Sequence, residues 1–91
     1  MTISSAGPAA SAQVESSIQQ FLEKRLKATV APDFDIFASG TVTSMFAMEL
    51  VVHLEQTFGI MIAGPDLRMD NFRTIVSMTG LVLRLRETGG A

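Results

Sequence analysis

The chain contains no cysteine, no tryptophan, no tyrosine and only one histidine among its 91 residues. Without cysteine no disulfide can stabilise the fold, and one histidine without cysteine excludes the familiar zinc spacings. No apolar run approaches the ~18 residues of a membrane-spanning helix, and no basic segment precedes an apolar stretch as in a signal peptide. The sequence therefore predicts a cytoplasmic protein whose small core consists of aliphatic and Phe side chains, with no metal site.

Basic residues are missing from the middle of the chain. Between Lys27 and Arg68 there is no Lys or Arg, whereas five acidic residues fall in that interval. They are Asp33, Asp35, Glu49, Glu55 and Asp66. An acidic centre argues against binding of nucleic acid and favours attraction of basic protein surfaces. The arginines outside it, including Arg73, are expected to balance this charge.

Hydrophobic periodicity predicts an all-α bundle of three principal helices and one short helix. The predicted helices cover residues 11–27, 44–58 and 74–86, and the short helix covers 66–69. Residues 1–10 are expected to form a disordered tail, 11–86 one helical domain, and 87–91 a frayed end. Gly80 interrupts the last helix pattern at a cost of ~1 kcal/mol relative to alanine. The long loop over 28–43 is expected to be anchored by Phe34, Ile36 and Phe37.

The second helix has two apolar faces. Ala47, Leu50, Val51, Leu54 and Phe58 form an ordinary core face. A second apolar stripe, flanked by acidic residues and a glutamine, lies on the expected solvent side: Met45, Met48, Glu49, Val52, Glu55 and Gln56. Such a stripe indicates a surface for protein partners, although periodicity alone also permits Met45, Met48 and Val52 to pack against the long loop or the short helix.

Ser44 begins this helix, and three roles are open to it. Serine is a preferred N-cap, but Thr43 could be the cap instead. A catalytic nucleophile would need a base, and the only histidine, His53, lies nine residues along the same predicted helix, too far to reach Ser44. Intrinsic catalysis is therefore not expected, His53 is expected to have no special role, and Ser44 is left as a cap or as a substrate for other enzymes.

The segment around Ser44 resembles the acyl carrier protein family. Phe37-Ala38-Ser39-Gly40-Thr41-Val42-Thr43-Ser44-Met45 is similar to the family's F-x-x-G-x-x-[D]-S-[L] attachment motif, and similarity continues through Phe58-Gly59-Ile60 and 71–75. The resemblance implies that a phosphopantetheinyl transferase attaches phosphopantetheine to Ser44. It also implies that the carrier meets acyl-loading and acyl-modifying enzymes through the Met45 to Gln56 stripe. The charge pattern and the lack of a long apolar run predict no binding of nucleic acid or membrane, and the protein is expected to be a monomer.

One residue departs from the family pattern: Thr43 stands where an aspartate is usual. This departure implies either a specialised transferase or poor modification, and it leaves open an unmodified helical adaptor that binds one protein through the same face. The stretch from Met45 to Val52, with Asp70-Asn71-Phe72-Arg73-Thr74, is most similar to discrete carriers of hydroxymalonyl or methoxymalonyl extender units for polyketide synthases. The resemblance therefore implies polyketide synthase modules as further partners.

Overall fold

A computed structural model describes residues 8–38, 40 and 42–87. Over these residues the chain forms three α-helices and no strand: α1 (Pro8–Leu26), α2 (Ser44–Phe58) and α3 (Ile75–Glu87). The predicted all-α class with three principal helices is confirmed. The remaining parts of the two predicted tails, 1–7 and 88–91, lie outside the described residues.

Both terminal helices differ by a few residues from their predicted bounds. α1 begins at Pro8 instead of Ser11. Proline is tolerated at the first position of a helix because the N–H groups of the first turn have no partner within the helix, so the missing N–H costs no hydrogen bond. α3 includes Glu87 and starts at Ile75, because Thr74 caps it: Thr74 Oγ1 accepts from the Ser77 amide at 3.0 Å. Residues 8–10 and Glu87 are therefore helical, contrary to the prediction that they belong to the tails. α3 is continuous through Gly80.

The second helix has the bounds that the sequence predicts. It ends before Gly59, whose φ of 65° and ψ of 39° are left-handed, a conformation that glycine adopts without a Cβ clash. The Gly59 amide donates to the Glu55 carbonyl at 3.0 Å, and the Ile60 amide donates to the same oxygen at 3.3 Å. This end turns the chain sharply, so that Ile60 and Ile62 are buried in the core.

The predicted short helix over 66–69 is wrong. Two separate 3₁₀ turns, Gly64–Asp66 and Met69–Asn71, replace it. Arg68 between them is extended, with φ −121° and ψ 140°. Pro65 is the second residue of the first turn, and the Leu67 amide donates to the Gly64 carbonyl at 3.1 Å, an i to i−3 bond that is typical of a short 3₁₀ turn.

One apolar core joins the three helices. α1 buries Val14, Ile18 and Leu22, and α2 buries Leu50 and Leu54, as their stripes predict. α3 and the preceding turn complete the core with Phe72, Ile75, Met78, Leu81 and Val82. The backbones of α1 and α3 approach each other most closely, whereas α2 stands farther from both.

The long loop between α1 and α2 is fixed by buried aliphatic side chains and by hydrogen bonds. Val30, Ile36 and Val42 are buried and Phe37 is half-buried, but Phe34 is exposed, so its predicted role as an anchor is wrong. The Ile36 amide donates to the Arg73 carbonyl at 2.8 Å, and the Val76 amide donates to the Pro32 carbonyl at 3.1 Å. These bonds hold residues 32–36 of the loop against the start of α3.

Candidate functional site

The start of α2 separates the capping residue from Ser44. Thr43 Oγ1 accepts a hydrogen bond from the Phe46 amide at 3.2 Å, and the Thr43 carbonyl accepts from the Ala47 amide at 3.0 Å. Thr43 is thus the N-cap, and the alternative in which Ser44 is the cap is wrong. Ser44 is the first helical residue and is exposed. The amides of Ser44 and Met45 precede the first helical hydrogen bonds and remain available as donors to an anion.

Beyond Ser44, the apolar stripe of α2 is exposed. The exposed fractions are 75% for Met45, 63% for Met48 and 46% for Val52. The alternative in which these side chains pack against the long loop or the turns after α2 is therefore wrong. Glu49 and Gln56 are exposed beside them. The structure thus has an uncovered apolar surface, which we call the α2 face, defined by Met45, Met48, Glu49, Val52 and Gln56.

Glu49 on this face is paired with α1. Its carboxylate forms a salt bridge with the Arg25 guanidinium, which lies 5.4 Å from the ring centre of Phe46 and 5.7 Å from that of Phe21. Arg25, near the end of α1, therefore connects α1 to α2. Its long side chain covers aromatic surface while its charge reaches Glu49.

Glu55 has a structural partner. Its Oε2 accepts a hydrogen bond from the Ile62 amide at 2.8 Å, and the side chain is half-buried. The prediction placed this carboxylate among the partner contacts, since a sequence does not show that the chain folds back over the end of α2. Glu55 thus fixes the segment that buries Ile60 and Ile62, and its charge is not freely presented as a surface group.

An apolar groove of about 580 Å³ begins beside Ser44. The long loop, α2 and the turns before α3 form its walls, which include Phe37, Val42, Ser44, Ala47, Val51, Leu67, Phe72 and Arg73. Sequence reasoning missed the groove because its walls combine side chains of residues 37–51 with side chains of residues 67–73, which only the folded chain brings together. The apolar residues of the loop and turns, Val42 and Leu67 among them, were the available signal.

Two carboxylates hold Arg73 at the edge of the groove. Arg73 Nη1 donates to Asp35 at 3.2 Å, and Arg73 Nε donates to Asp70 at 2.9 Å. Burial alone would raise the pKa of Asp35, but hydrogen bonds from the amides of Phe37 and Ala38 and from Arg73 outweigh it and lower that pKa. Arg84 is likewise bonded to Asp66 at 3.1 Å, so Arg73 and Arg84 each pair with an acidic residue of the middle of the chain, as predicted.

His53 lies apart from Ser44. Its ring stacks on Phe21 with centres 3.8 Å apart, and it shares a hydrogen bond with Thr57 at 3.3 Å. Burial lowers the pKa of His53, so the ring is neutral at pH 7. His53 faces the depression beside α1, whereas Ser44 faces the groove on the other side of α2. The two residues therefore do not form a nucleophile and base pair.

Neither a metal cluster nor a membrane span is found in the part of the chain that the structure describes. No three His, Asp or Glu side chains there are grouped to hold a metal ion. No helix among those residues is long and apolar enough to cross a bilayer. The features that remain for function are Ser44, the groove and the α2 face.

One protein family model matches most of the chain. The family model described as Phosphopantetheine attachment site matches residues 12–82, well over half of the chain. No curated protein and no solved structure gave a match. Proteins of this family carry phosphopantetheine covalently, meet phosphopantetheinyl transferases and acyl-handling enzymes, and are carriers rather than enzymes. The chain belongs to the acyl carrier protein family and tethers acyl groups on phosphopantetheine.

Proposed function

We propose that Ser44 is the residue that carries the phosphopantetheine arm. The observation that supports this most is the division of roles at the helix start: Thr43 takes the capping bond, and Ser44 is exposed beside it. In the attachment reaction, Ser44 Oγ forms a bond to phosphorus of coenzyme A while the phosphorus–oxygen bond to the adenosine portion breaks. The hydroxyl proton passes to a base of the transferase, since none of the described residues of this chain brings a base to Ser44.

The residues around Ser44 fit a phosphodiester. α2 has no acidic residue in its first turn, and the amides of Ser44 and Met45 lie at the positive end of the helix dipole, where an anion is stabilised. When bound, phosphopantetheine supplies a thiol that holds an acyl chain as a thioester. The groove beside Ser44 has an apolar lining that suits the hydrocarbon part of such a chain.

Intact mass measurement tests the attachment. The protein is incubated with coenzyme A and a broad-specificity phosphopantetheinyl transferase, and a gain of about 340 Da is expected on the peptide containing Ser44. Ser44→Ala is expected to gain nothing and to remain folded, because Thr43 keeps the cap. A mass gain on the alanine variant would place the arm elsewhere. Normal product formation by that variant in the cell would instead favour the unmodified adaptor.

Partner enzymes are proposed to dock on the α2 face, next to Ser44. Its exposed methionines are flexible and polarizable, which favours contacts with several partners in turn. The full set proposed from the sequence is Met45, Met48, Glu49, Val52, Glu55 and Gln56. Within it Glu55 is proposed to act indirectly, by holding the end of α2, since its carboxylate is bonded to the Ile62 amide.

The pathway proposed is polyketide extender-unit biosynthesis in the cytoplasm, where coenzyme A is available. The sequence similarity of Met45 to Val52 and of Asp70 to Thr74 to hydroxymalonyl and methoxymalonyl carriers supports it. Mass spectrometry of the carrier isolated from its own cells should find an oxygenated malonyl group on the Ser44 peptide. Finding only simple fatty acyl groups would refute this pathway. The same material should elute as a monomer in light scattering.

A further inference from the structure

The α2 face has less available charge than its sequence indicates. The one carboxylate of the face, that of Glu49, is in a salt bridge with Arg25, and that of the neighbouring Glu55 accepts the Ile62 amide. Gln56 is uncharged. A basic partner surface would therefore meet no unpaired carboxylate among these residues.

The groups behind the face reinforce this neutrality. Arg25 lies over Phe21 and Phe46 with its charge directed to Glu49, so freeing Glu49 would require Arg25 to leave two aromatic contacts as well as its ion pair. His53, stacked on Phe21, adds no charge at pH 7, because burial lowers its pKa. The depression formed by these side chains is open and mostly apolar.

An enzyme that modifies Ser44 has to cover the apolar part of this face. Met45 follows Ser44 directly, and Met48 lies one helical turn further on. Both are more than half exposed, and Val52 extends the same stripe by another turn. Contact with these three side chains would remove apolar surface from water, which is favourable and is not screened by salt.

We propose that the phosphopantetheinyl transferase of this carrier docks through an apolar, uncharged surface that buries Met45, Met48 and Val52, and not through a basic patch. The inference rests on the proposed attachment at Ser44 and specifies the chemistry of the partner. Complementarity decides between the two surfaces: the carrier offers three exposed apolar side chains and a carboxylate already paired with Arg25.

The test is an assay with coenzyme A and the carrier's own phosphopantetheinyl transferase at 50 to 500 mM KCl. The initial rate of mass gain is measured for wild type and two variants. Met48→Gln removes apolar contact at an exposed position and is expected to lower kcat/KM about tenfold. Val76→Gln is the matched control, since Val76 is 55% exposed but lies on α3, in a separate depression between α3 and α1. Its kcat/KM is expected to equal that of wild type. Circular dichroism checks that both variants are helical.

Salt separates the two docking modes. For an apolar surface, the ratio of wild type to Met48→Gln should stay near tenfold throughout the series, and this ratio cancels any effect of salt on the transferase itself. For a basic patch, the ratio of kcat/KM between wild type and Met48→Gln should be near one. The rates of wild type and Val76→Gln should then fall more than about tenfold between 50 and 500 mM KCl. This result would overturn the proposal. If wild type gains no mass at any salt concentration with the carrier's own transferase, the attachment at Ser44 is refuted and the docking proposal fails with it.

Discussion

Replacing Glu55 by lysine is expected to destabilise the fold. In the native protein Glu55 Oε2 accepts the Ile62 amide at 2.8 Å, and Ile62 is only 5% exposed. Lysine has no acceptor, so this amide would lose its partner, which costs about 1–3 kcal/mol. A domain of this size has a free energy of unfolding of about 5–13 kcal/mol, so the loss is a large fraction of it. Each kcal/mol lowers Tm by about 4–8 °C.

Two further variants make the experiment specific to this hydrogen bond. Glu55→Gln keeps a carbonyl acceptor and should lose less than half as much free energy as Glu55→Lys. Glu49→Gln breaks only the exposed salt bridge with Arg25 and should cost about 0–1 kcal/mol. Urea denaturation followed by circular dichroism gives all three values. Equal stability of Glu55→Lys and wild type would refute the structural role of Glu55 and return it to the docking surface.

Three other predictions concern the helices. Thr43→Ala should lose about 1 kcal/mol with the capping bond, whereas Thr43→Asp should keep it; equal urea midpoints for the two would contradict the capping geometry. Gly80→Ala should raise the free energy of unfolding by about 1 kcal/mol, because alanine favours the helix and its Cβ would meet no atom within 4 Å. A lower Tm for this variant would contradict the open space at Gly80. As pH falls from 7.5 to 5.5, the unfolded chain protonates His53 before the folded chain does, so this residue lowers stability in that window. His53→Gln should reduce that loss, as measured by urea midpoints at both pH values, and an unchanged loss would contradict the burial of the ring.

The sequence predicts α2 better than any other element. Its first residue, its end at Gly59 and its two apolar faces follow from helical spacing and local stop signals, which depend on neighbouring residues only. The exposed methionines are also explained at this level, since Leu50 and Leu54 already provide the core face. Attachment at Ser44 and docking on the exposed face remain proposals, although the family match agrees with the carrier role.

Features that depend on distant parts of the chain were not predictable in this way. The bond from Glu55 to Ile62 and the stacking of Arg25 on Phe46 require the tertiary fold. The same is true of the groove, whose walls come from three segments. The two 3₁₀ turns escaped because a few residues between Gly64 and Asn71 carry too short a pattern to distinguish them from one α-helical turn.

The close approach of α1 to α3 gives these two helices a contact that α2 does not share. Their backbones lie close together, whereas α2 joins them through side chains, with Leu50 and Leu54 in the core and Phe46 near Phe21 and Arg25. We therefore expect α2 to be the helix that moves most easily, with the α1–α3 pair left intact. Amide hydrogens of α2 should then exchange through partial openings, and those of α1 and α3 only on global unfolding. The domain could thus change the capacity of its groove from one cargo to the next without any loss of its folded base.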